Sequence, residues 1–164
     1  MDKKCALINE MIKYYASDVK RINHFMKVYS FAKTIGEIEK VECFNQEVLE
    51  IAAIVHDIGI KLSEQKYNSS SGKYQQIEGP ALAKELLEKL DYEDAIISRV
   101  CFIVGHHHTY TAIDGIDFQI LVEADLLINI YEDEISQEVI CKIRDNYFKT
   151  EAGSNFLKQM YISL

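Results

Sequence analysis

Ionisable residues interrupt strongly apolar stretches of this sequence at three places: His24, the adjacent pair His56-Asp57, and Asp125. An ionised carboxylate is almost never buried without a partner, because its desolvation costs several kcal/mol. Asp57 and Asp125 each lie within a run of mostly Ile, Leu, Val and Ala, so each requires a compensating charge. Two imidazoles and two carboxylates that converge from three helices would form a metal site with positions left for water.

The types of donor atom limit which ion such a site would hold. Imidazole plus carboxylate ligation suits Mn²⁺, Fe²⁺, Co²⁺, Ni²⁺ or Zn²⁺, and it suits Mg²⁺ less well. A bound divalent ion lowers the pKa of a water molecule and neutralises the charge on a phosphoryl oxygen. The constellation therefore predicts metal-dependent hydrolysis, although His24 considered alone would more often be a hydrogen-bonded core histidine.

Helices must position these residues, because the composition favours helix along the whole chain. The sequence has one proline among 164 residues, and 48% of its residues are hydrophobic. Few helix breakers and many Leu, Ile, Ala, Glu and Lys residues are typical of an all-helical protein. This length fits one domain with a sizeable core. We expect a single all-α domain over residues 1–164, with about seven or eight helices.

Apolar residues at helical spacing place the individual elements. The expected helices cover approximately residues 3–16, 18–39, 46–57, 80–90, 92–107, 116–131, 134–148 and 151–162. Ser17-Asp18 and Asn45 are the expected N-caps of the second and third helices, and Gly79-Pro80 is expected to open the fourth. Residues 63–77 are the one loop-like stretch, which we interpret as a surface loop that could act as a lid.

Charge and cysteine content exclude several classes of protein. The formal net charge of −8 disfavours binding to a nucleic-acid backbone, which needs a basic face, but it permits a small phosphorylated substrate beside a metal ion. The four cysteines form no C-x-x-C pair and are interpreted as buried free thiols in a reducing compartment. The N-terminus lacks a secretory apolar region, and no apolar run reaches transmembrane length. We therefore expect a cytoplasmic protein without membrane association.

The order of the four candidate ligands resembles a known signature. His24, His56-Asp57 and Asp125 are similar to the H…HD…D signature of the HD-domain superfamily of metal-dependent phosphohydrolases, with spacings of 32 residues (24 to 56) and 68 residues (57 to 125). The likeness covers approximately residues 18–131, followed by closing helices over 132–164. It implies that these four residues hold the catalytic metal and that Asp57 also serves as a general base.

Flanking residues extend the resemblance. Arg21-Ile-Asn-His24 is similar to the R-x-x-H that often opens the signature. The segment from His56 to Lys61 is similar to the family's H-D-x-G-K, with one extra residue before the lysine. Arg21 and Lys61 are therefore candidate phosphate-binding cations, although ordinary surface charge explains each of them equally well.

The resemblance also raises the possibility of a second metal. Members with two metals carry further histidines between the HD pair and the last aspartate. Here Glu78 stands before Gly79-Pro80, where such members have histidine, and the triplet His106-His107-His108 ends the next helix. The spacing of 18 residues from His107 to Asp125 resembles the bacterial symmetrical dinucleoside-tetraphosphate hydrolases. A second site formed by Glu78 with His107 or His106 stays open, because a glutamate can bind a metal but changes the charge and softness of the ligand. A cation-rich helix C-terminus would explain the triplet by itself. All five histidines of the chain lie in the signature or in this triplet, however, which favours at least one functional histidine here, His107 first.

The sequence thus favours a metal-dependent phosphohydrolase that cleaves a phosphomonoester or a phosphoanhydride of a small metabolite, with a nucleotide as the foremost substrate. The alternative is a non-catalytic regulatory module that binds a metal or a nucleotide on the same fold. Such a module would often have lost a ligand, whereas all four are present here. Glu123 is expected to be solvated or salt-bridged, Asn129 could orient a water molecule, and Tyr110 could stack on a base.

Overall fold

The computed structural model describes residues 2–162, in which all regular secondary structure is helical. This part contains nine α-helices and a short 3₁₀ turn at Tyr110–Ala112. The α-helices are α1 (Lys3–Tyr15), α2 (Val19–Ile38), α3 (Cys43–Val55), α4 (Ile60–Tyr67), α5 (Gly72–Lys89), α6 (Asp94–Val104), α7 (Ile116–Glu132), α8 (Gln137–Tyr147) and α9 (Glu151–Tyr161). The expected all-α fold is confirmed.

Two helices that are buried on nearly all sides form the centre of the molecule. Every residue of α3 from Val48 to Val55 is buried, and α7 is buried almost continuously from Asp117 to Ile130. Helix α3 packs against α2, α6 and α7, and α2 also packs along α7. A helix that is apolar all round belongs in the interior of a protein. The ends of α3 and the middle of α7 can therefore bring polar side chains into the core.

The remaining helices cover this centre. Helix α1 packs on α2 and α3, α5 packs on α4 and α6, and α8 and α9 pack on α7 and on each other. Helix α2 begins as predicted, because the Asp18 carboxylate accepts a hydrogen bond of 3.1 Å from the Arg21 backbone N–H. Within residues 2–162, no helix combines the length and the apolarity that crossing a membrane requires.

The predicted loop over residues 63–77 is wrong, because most of it is helical. Helix α4 continues to Tyr67 and ends at Asn68, which adopts a left-handed conformation with a φ of 50°. Helix α5 then starts at Gly72 and runs through Pro80, so the proline does not open a helix. The close approach of Gly59 to the backbone of α5 draws this polar stretch into the fold, since a Cβ at Gly59 would lie 2.6 Å from the Gln75 carbonyl oxygen.

Two smaller expectations also fail. Asn45 does not cap the third helix, because α3 begins three residues earlier than predicted and its N-cap is Glu42. The cysteines are free thiols, but they are not buried: Cys5 and Cys43 are exposed, and Cys101 and Cys141 are partly exposed. Helical periodicity cannot by itself decide whether a cysteine near a helix end faces the core.

Candidate metal centre

Four side chains meet where α2, the C-terminal end of α3 and the middle of α7 come together. His24 lies on α2, His56 is the C-cap of α3 and is followed by Asp57, and Asp125 lies on α7. His24 Nε2 lies 3.2 Å from Asp125 Oδ1 and 3.5 Å from Asp57 Oδ2. His56 Nε2 lies 3.7 Å and 3.5 Å from the same two oxygens. The structure thus places the four signature residues at one point.

The hydrogen bonds of the imidazoles fix which nitrogen faces this point. His56 Nδ1 lies 2.9 Å from the Ala53 carbonyl oxygen, and His24 Nδ1 lies 2.8 Å from Glu132 Oε2. Both oxygens accept, so each Nδ1 donates its proton, and in the neutral imidazole each Nε2 has a lone pair available to a metal ion. Fixing the tautomer through the outer nitrogen is the usual arrangement of a metal-ligating histidine.

The distance between the Nε2 atoms of His24 and His56 is suited to a cation bound between them. His24 Nε2 and His56 Nε2 lie 3.3 Å apart. Two lone pairs at that distance repel each other unless a proton or a metal ion lies between them. Asp57 and Asp125 supply two negative charges. A divalent ion would neutralise these charges and accept the lone pairs of the two imidazole nitrogens.

Attraction between the imidazoles and the carboxylates of the centre shifts the pKa values of His56, Asp57 and Asp125. Burial disfavours the charged imidazolium of His56, but the Asp57 and Asp125 carboxylates outweigh this effect and raise its pKa to about 9. Burial also disfavours both carboxylates in their ionised form. The neighbouring imidazoles attract both carboxylates and form hydrogen bonds with them, and these interactions outweigh the effect of burial. The pKa of Asp57 and the pKa of Asp125 are therefore well below the usual range. The centre therefore binds positive charge strongly.

A second group of donors shares Asp57. The Asp57 Oδ2 atom faces His24 and His56, whereas its Oδ1 atom lies 3.5 Å from His107 Nε2. His107 is buried and donates from Nδ1 to the Val104 carbonyl oxygen at 2.9 Å, and its buried Nε2 has no hydrogen-bond partner among the described residues. Donor atoms of Asp57, His107 and His108 all lie within 4.8 Å of one another. A buried His107 Nε2 atom without a hydrogen-bond partner indicates that a ligand binds at this position.

Glu78 and His106 lie outside both groups of donors. The Glu78 carboxylate accepts hydrogen bonds of 2.8 Å from Lys66 and 2.7 Å from Tyr67. The His106 ring stacks on Phe102, and its Nδ1 donates to the Phe102 carbonyl oxygen at 2.7 Å. Of the three sequence candidates for a second site, the structure brings only His107 to the centre, together with His108.

A cavity of 470 Å³ opens from the centre to solvent. Arg21 lines this cavity, with its guanidinium paired to Asp18 at 2.7 Å and to Glu64 at 2.6 Å. Lys61 does not line it, because its ammonium group donates to the Tyr14 carbonyl oxygen at 2.8 Å on the other side of α4. The structure therefore gives Arg21 access to a ligand and gives Lys61 a role in joining α4 to α1.

Sequence reasoning missed several residues of this cavity, among them Lys20, Gln75 and Glu132. Glu132 follows Asp125 by seven residues, and Asn129 follows it by four, so all three share one face of α7. That spacing could have identified Glu132 as a partner of the site. Gln75 had no such signal, because it lies in the segment wrongly predicted as a loop, and it reaches His108 with a 3.1 Å hydrogen bond.

The prediction for Glu123 is wrong, since this side chain is buried and forms no salt bridge with any residue from 2 to 162. It is fully buried, and its carboxylate accepts hydrogen bonds from the backbone N–H groups of Lys149 and Thr150 and from the Thr150 hydroxyl. It also accepts from Gln119 Nε2 at 2.7 Å. Glu123 thus holds the segment before α9 rather than contributing to the metal centre.

Comparison with known proteins agrees with this geometry. A family model described as HD domain matches residues 21–145. The crystal structure of a predicted HD superfamily hydrolase from an uncultured Thermotogales bacterium is similar, with a TM-score of 0.70 and 21% sequence identity, over 96% of this chain and 84% of that chain. At this identity the likeness concerns the fold alone. No curated protein is significantly similar in sequence.

Proposed function

Because the chain belongs to the HD-domain family, we propose that it is a metal-dependent phosphohydrolase that cleaves a phosphomonoester or a phosphoanhydride of a small metabolite, foremost a nucleotide. One observation carries the proposal: the inward-facing Nε2 atoms of His24 and His56 each lie 3.2–3.7 Å from carboxylate oxygens of Asp57 and Asp125. His24, His56, Asp57 and Asp125 are the residues that would hold the ion.

The residues around the centre support hydrolysis of a phosphate group. A divalent ion held there would supply a Lewis acid for phosphoryl oxygens and would make an adjacent water molecule more acidic. Asp57 faces the cavity and accepts a proton from the attacking water. Lys20 and Arg21, at the cavity wall, neutralise the negative charge of the phosphate, and Asn129 hydrogen-bonds the substrate or the water.

The donor pattern also supports a second ion. Asp57 presents one carboxylate oxygen to each of the two donor groups, and His107 with His108 completes the second group. Two ions that share a carboxylate stabilise both the attacking and the leaving oxygen of a displacement. A second ion at this position would favour phosphoanhydride cleavage over the monoester reaction.

Metal analysis tests the proposal. Wild type and His56→Ala are purified without added metal, and bound metal is measured by mass spectrometry. We expect at least one ion per chain in wild type and none at the core site of the variant. Hydrolysis of p-nitrophenyl phosphate and of ADP is then measured with Mn²⁺, Fe²⁺ or Co²⁺. Absence of metal in both proteins, even after these ions are supplied, would contradict the proposal and favour a regulatory module.

Asp125→Ala provides a second test. This carboxylate faces both His24 and His56, so we expect its removal to abolish metal retention and to reduce turnover below detection, with helicity preserved. Circular dichroism checks the helical content, and Asp133→Asn, which alters the same cavity away from the four donors, serves as the matched control. Undiminished turnover in Asp125→Ala would show that the proposed site is not the active site.

A further inference from the structure

A second cavity adjoins the metal centre. It has a volume of 610 Å³ and lies between the 3₁₀ turn, the beginning of α7 and the end of α8. We call it the distal cavity; its lining includes Tyr110, Gln119, Asn146, Tyr147 and Lys149. The side chain of His108 lines both the distal cavity and the cavity of the metal centre. The two cavities are therefore neighbours that meet at His108.

The two cavities differ in charge. Five carboxylates and two cations line the cavity of the metal centre: Asp18, Asp57, Asp125, Glu132 and Asp133, with Lys20 and Arg21. Among the described residues that line the distal cavity, Lys149 is the one Lys, Arg, Asp or Glu side chain. A lining that carries one positive charge and no carboxylate, in a chain of net charge −8, suits a ligand that carries negative charge.

Two aromatic rings form the wall of the distal cavity. Tyr110 and Tyr147 pack edge to face, with ring centroids 4.6 Å apart. This wall is anchored, because the Tyr147 carbonyl oxygen accepts a hydrogen bond of 2.7 Å from Gln119. A fixed aromatic surface beside a lysine is suited to a planar ring that carries phosphate.

We propose that the distal cavity binds the nucleoside part of a nucleotide substrate, with the base against Tyr110 and Tyr147 and with Lys149 beside a phosphate group. This inference rests on the proposed function, because it assumes that the phosphoryl group lies at the metal centre. The volume of 610 Å³ is within the range of about 300–1,000 Å³ typical of small-molecule sites. The cavity then selects nucleotides over simple sugar phosphates and inorganic phosphates.

A pair of non-hydrolysable probes isolates the nucleoside contribution. Adenosine 5′-(α,β-methylene)diphosphate and methylenediphosphonate share the phosphonate group and differ in the nucleoside. Their dissociation constants for the metal-loaded protein are measured by calorimetry. We expect wild type to bind the nucleotide probe about tenfold more tightly than the small probe. Equal affinities for the two probes, or no binding of either, overturn the proposal.

Substitutions in the distal cavity test whether this cavity causes the tighter binding of the nucleotide probe. Tyr147→Leu is expected to weaken binding of the nucleotide probe about tenfold and to leave methylenediphosphonate binding unchanged. Asn146→Ala, at an exposed position that tolerates truncation, is expected to shift binding in the same direction by a smaller factor. Tyr131→Leu removes a tyrosine that is 73% exposed outside the distal cavity and serves as the matched control. Unchanged nucleotide affinity in both cavity variants overturns the proposal.

These measurements are independent of turnover. If the protein hydrolyses no phosphate compound but still binds the nucleotide probe through Tyr147, the proposed function fails and the nucleoside site stands. If it hydrolyses phosphate compounds but binds both probes equally in wild type and in Tyr147→Leu, the nucleoside site fails and the proposed function stands.

Discussion

His24, His56 and His107 each present Nε2 to the centre and place Nδ1 on an oxygen acceptor. For His56 and His107 the acceptor is a carbonyl three residues earlier in the same chain segment, at 2.9 Å in both cases. For His24 the acceptor is Glu132, which lies 108 residues away on α7 and also contacts Lys27 at 2.5 Å. The orientation of His24 thus depends on packing between α2 and α7, unlike that of the other two.

Glu132→Gln is expected to weaken metal binding about tenfold. The amide has the size of the carboxylate but carries no charge, so it holds the His24 imidazole less strongly and makes it a poorer ligand. Helical content should not change. The dissociation constant of Co²⁺ is measured by competition with a chelator. Asp133→Asn, a neighbouring carboxylate without a contact to His24 among the described residues, should keep the wild-type value, and equal affinities in Glu132→Gln and wild type would contradict a positioning role.

Among the helices, α9 is held at its N-terminus by a buried carboxylate of α7, and Glu39 accepts a further hydrogen bond from the Ala152 N–H. Glu123 accepts from the backbone N–H groups of Lys149 and Thr150, the residues directly before α9. The Thr150 hydroxyl in turn accepts from the Gly153 N–H at 3.0 Å and caps the helix. Glycine is required at position 153, because an added Cβ would overlap the Glu123 carboxylate. This network joins the closing helices to the helix that carries Asp125.

Glu123→Ala is expected to lower the free energy of unfolding by about 3 kcal/mol, because buried N–H groups lose their acceptor. Urea unfolding followed by circular dichroism measures the change. Gly153→Ala should also destabilise the protein, since the carboxylate must move. Glu138→Ala, which removes an exposed carboxylate of α8, is the control and should change the value by less than about 0.5 kcal/mol. A change that small in Glu123→Ala would contradict this role.

On the scale of the whole molecule, the candidate metal centre ties together segments that are far apart in sequence. His24, His56-Asp57, His107 and Asp125 come from α2, the end of α3, the end of α6 and α7. These donors are close together only in the folded state, so an ion bound to them stabilises that state over the unfolded chain.

Removal of metal is therefore expected to lower the melting temperature. An ion present at about 100 times its dissociation constant adds about 2.7 kcal/mol to the stability, and a chelator removes that amount. Differential scanning calorimetry with and without chelator measures the shift. Asp125→Ala should show no chelator effect, since it lacks a central ligand. An unchanged melting temperature in wild type would instead be the behaviour of a helical protein without a bound metal.

Several features were predictable because their causes are local. The helical class follows from composition and apolar periodicity, and the α2 N-cap follows from one aspartate beside a helix start. The candidate ligands His24, His56-Asp57 and Asp125 stand out because a polar group inside an apolar run must find a partner. The family follows from the order and spacing of these same residues, and the match over residues 21–145 confirms it.

The rest depends on contacts between segments that the sequence does not pair. Burial turns Glu123 from an expected surface residue into a helix anchor, and the polar stretch expected to be a loop is helical and packs closely against Gly59. Only the tertiary structure separates His107, which faces Asp57, from His106, which stacks on Phe102, since adjacent residues of one turn point in different directions. The sequence by itself determined the helical class and the donors, because burial costs and periodicity act within a segment. The tertiary structure decided their partners, because distance and direction between segments arise only from packing.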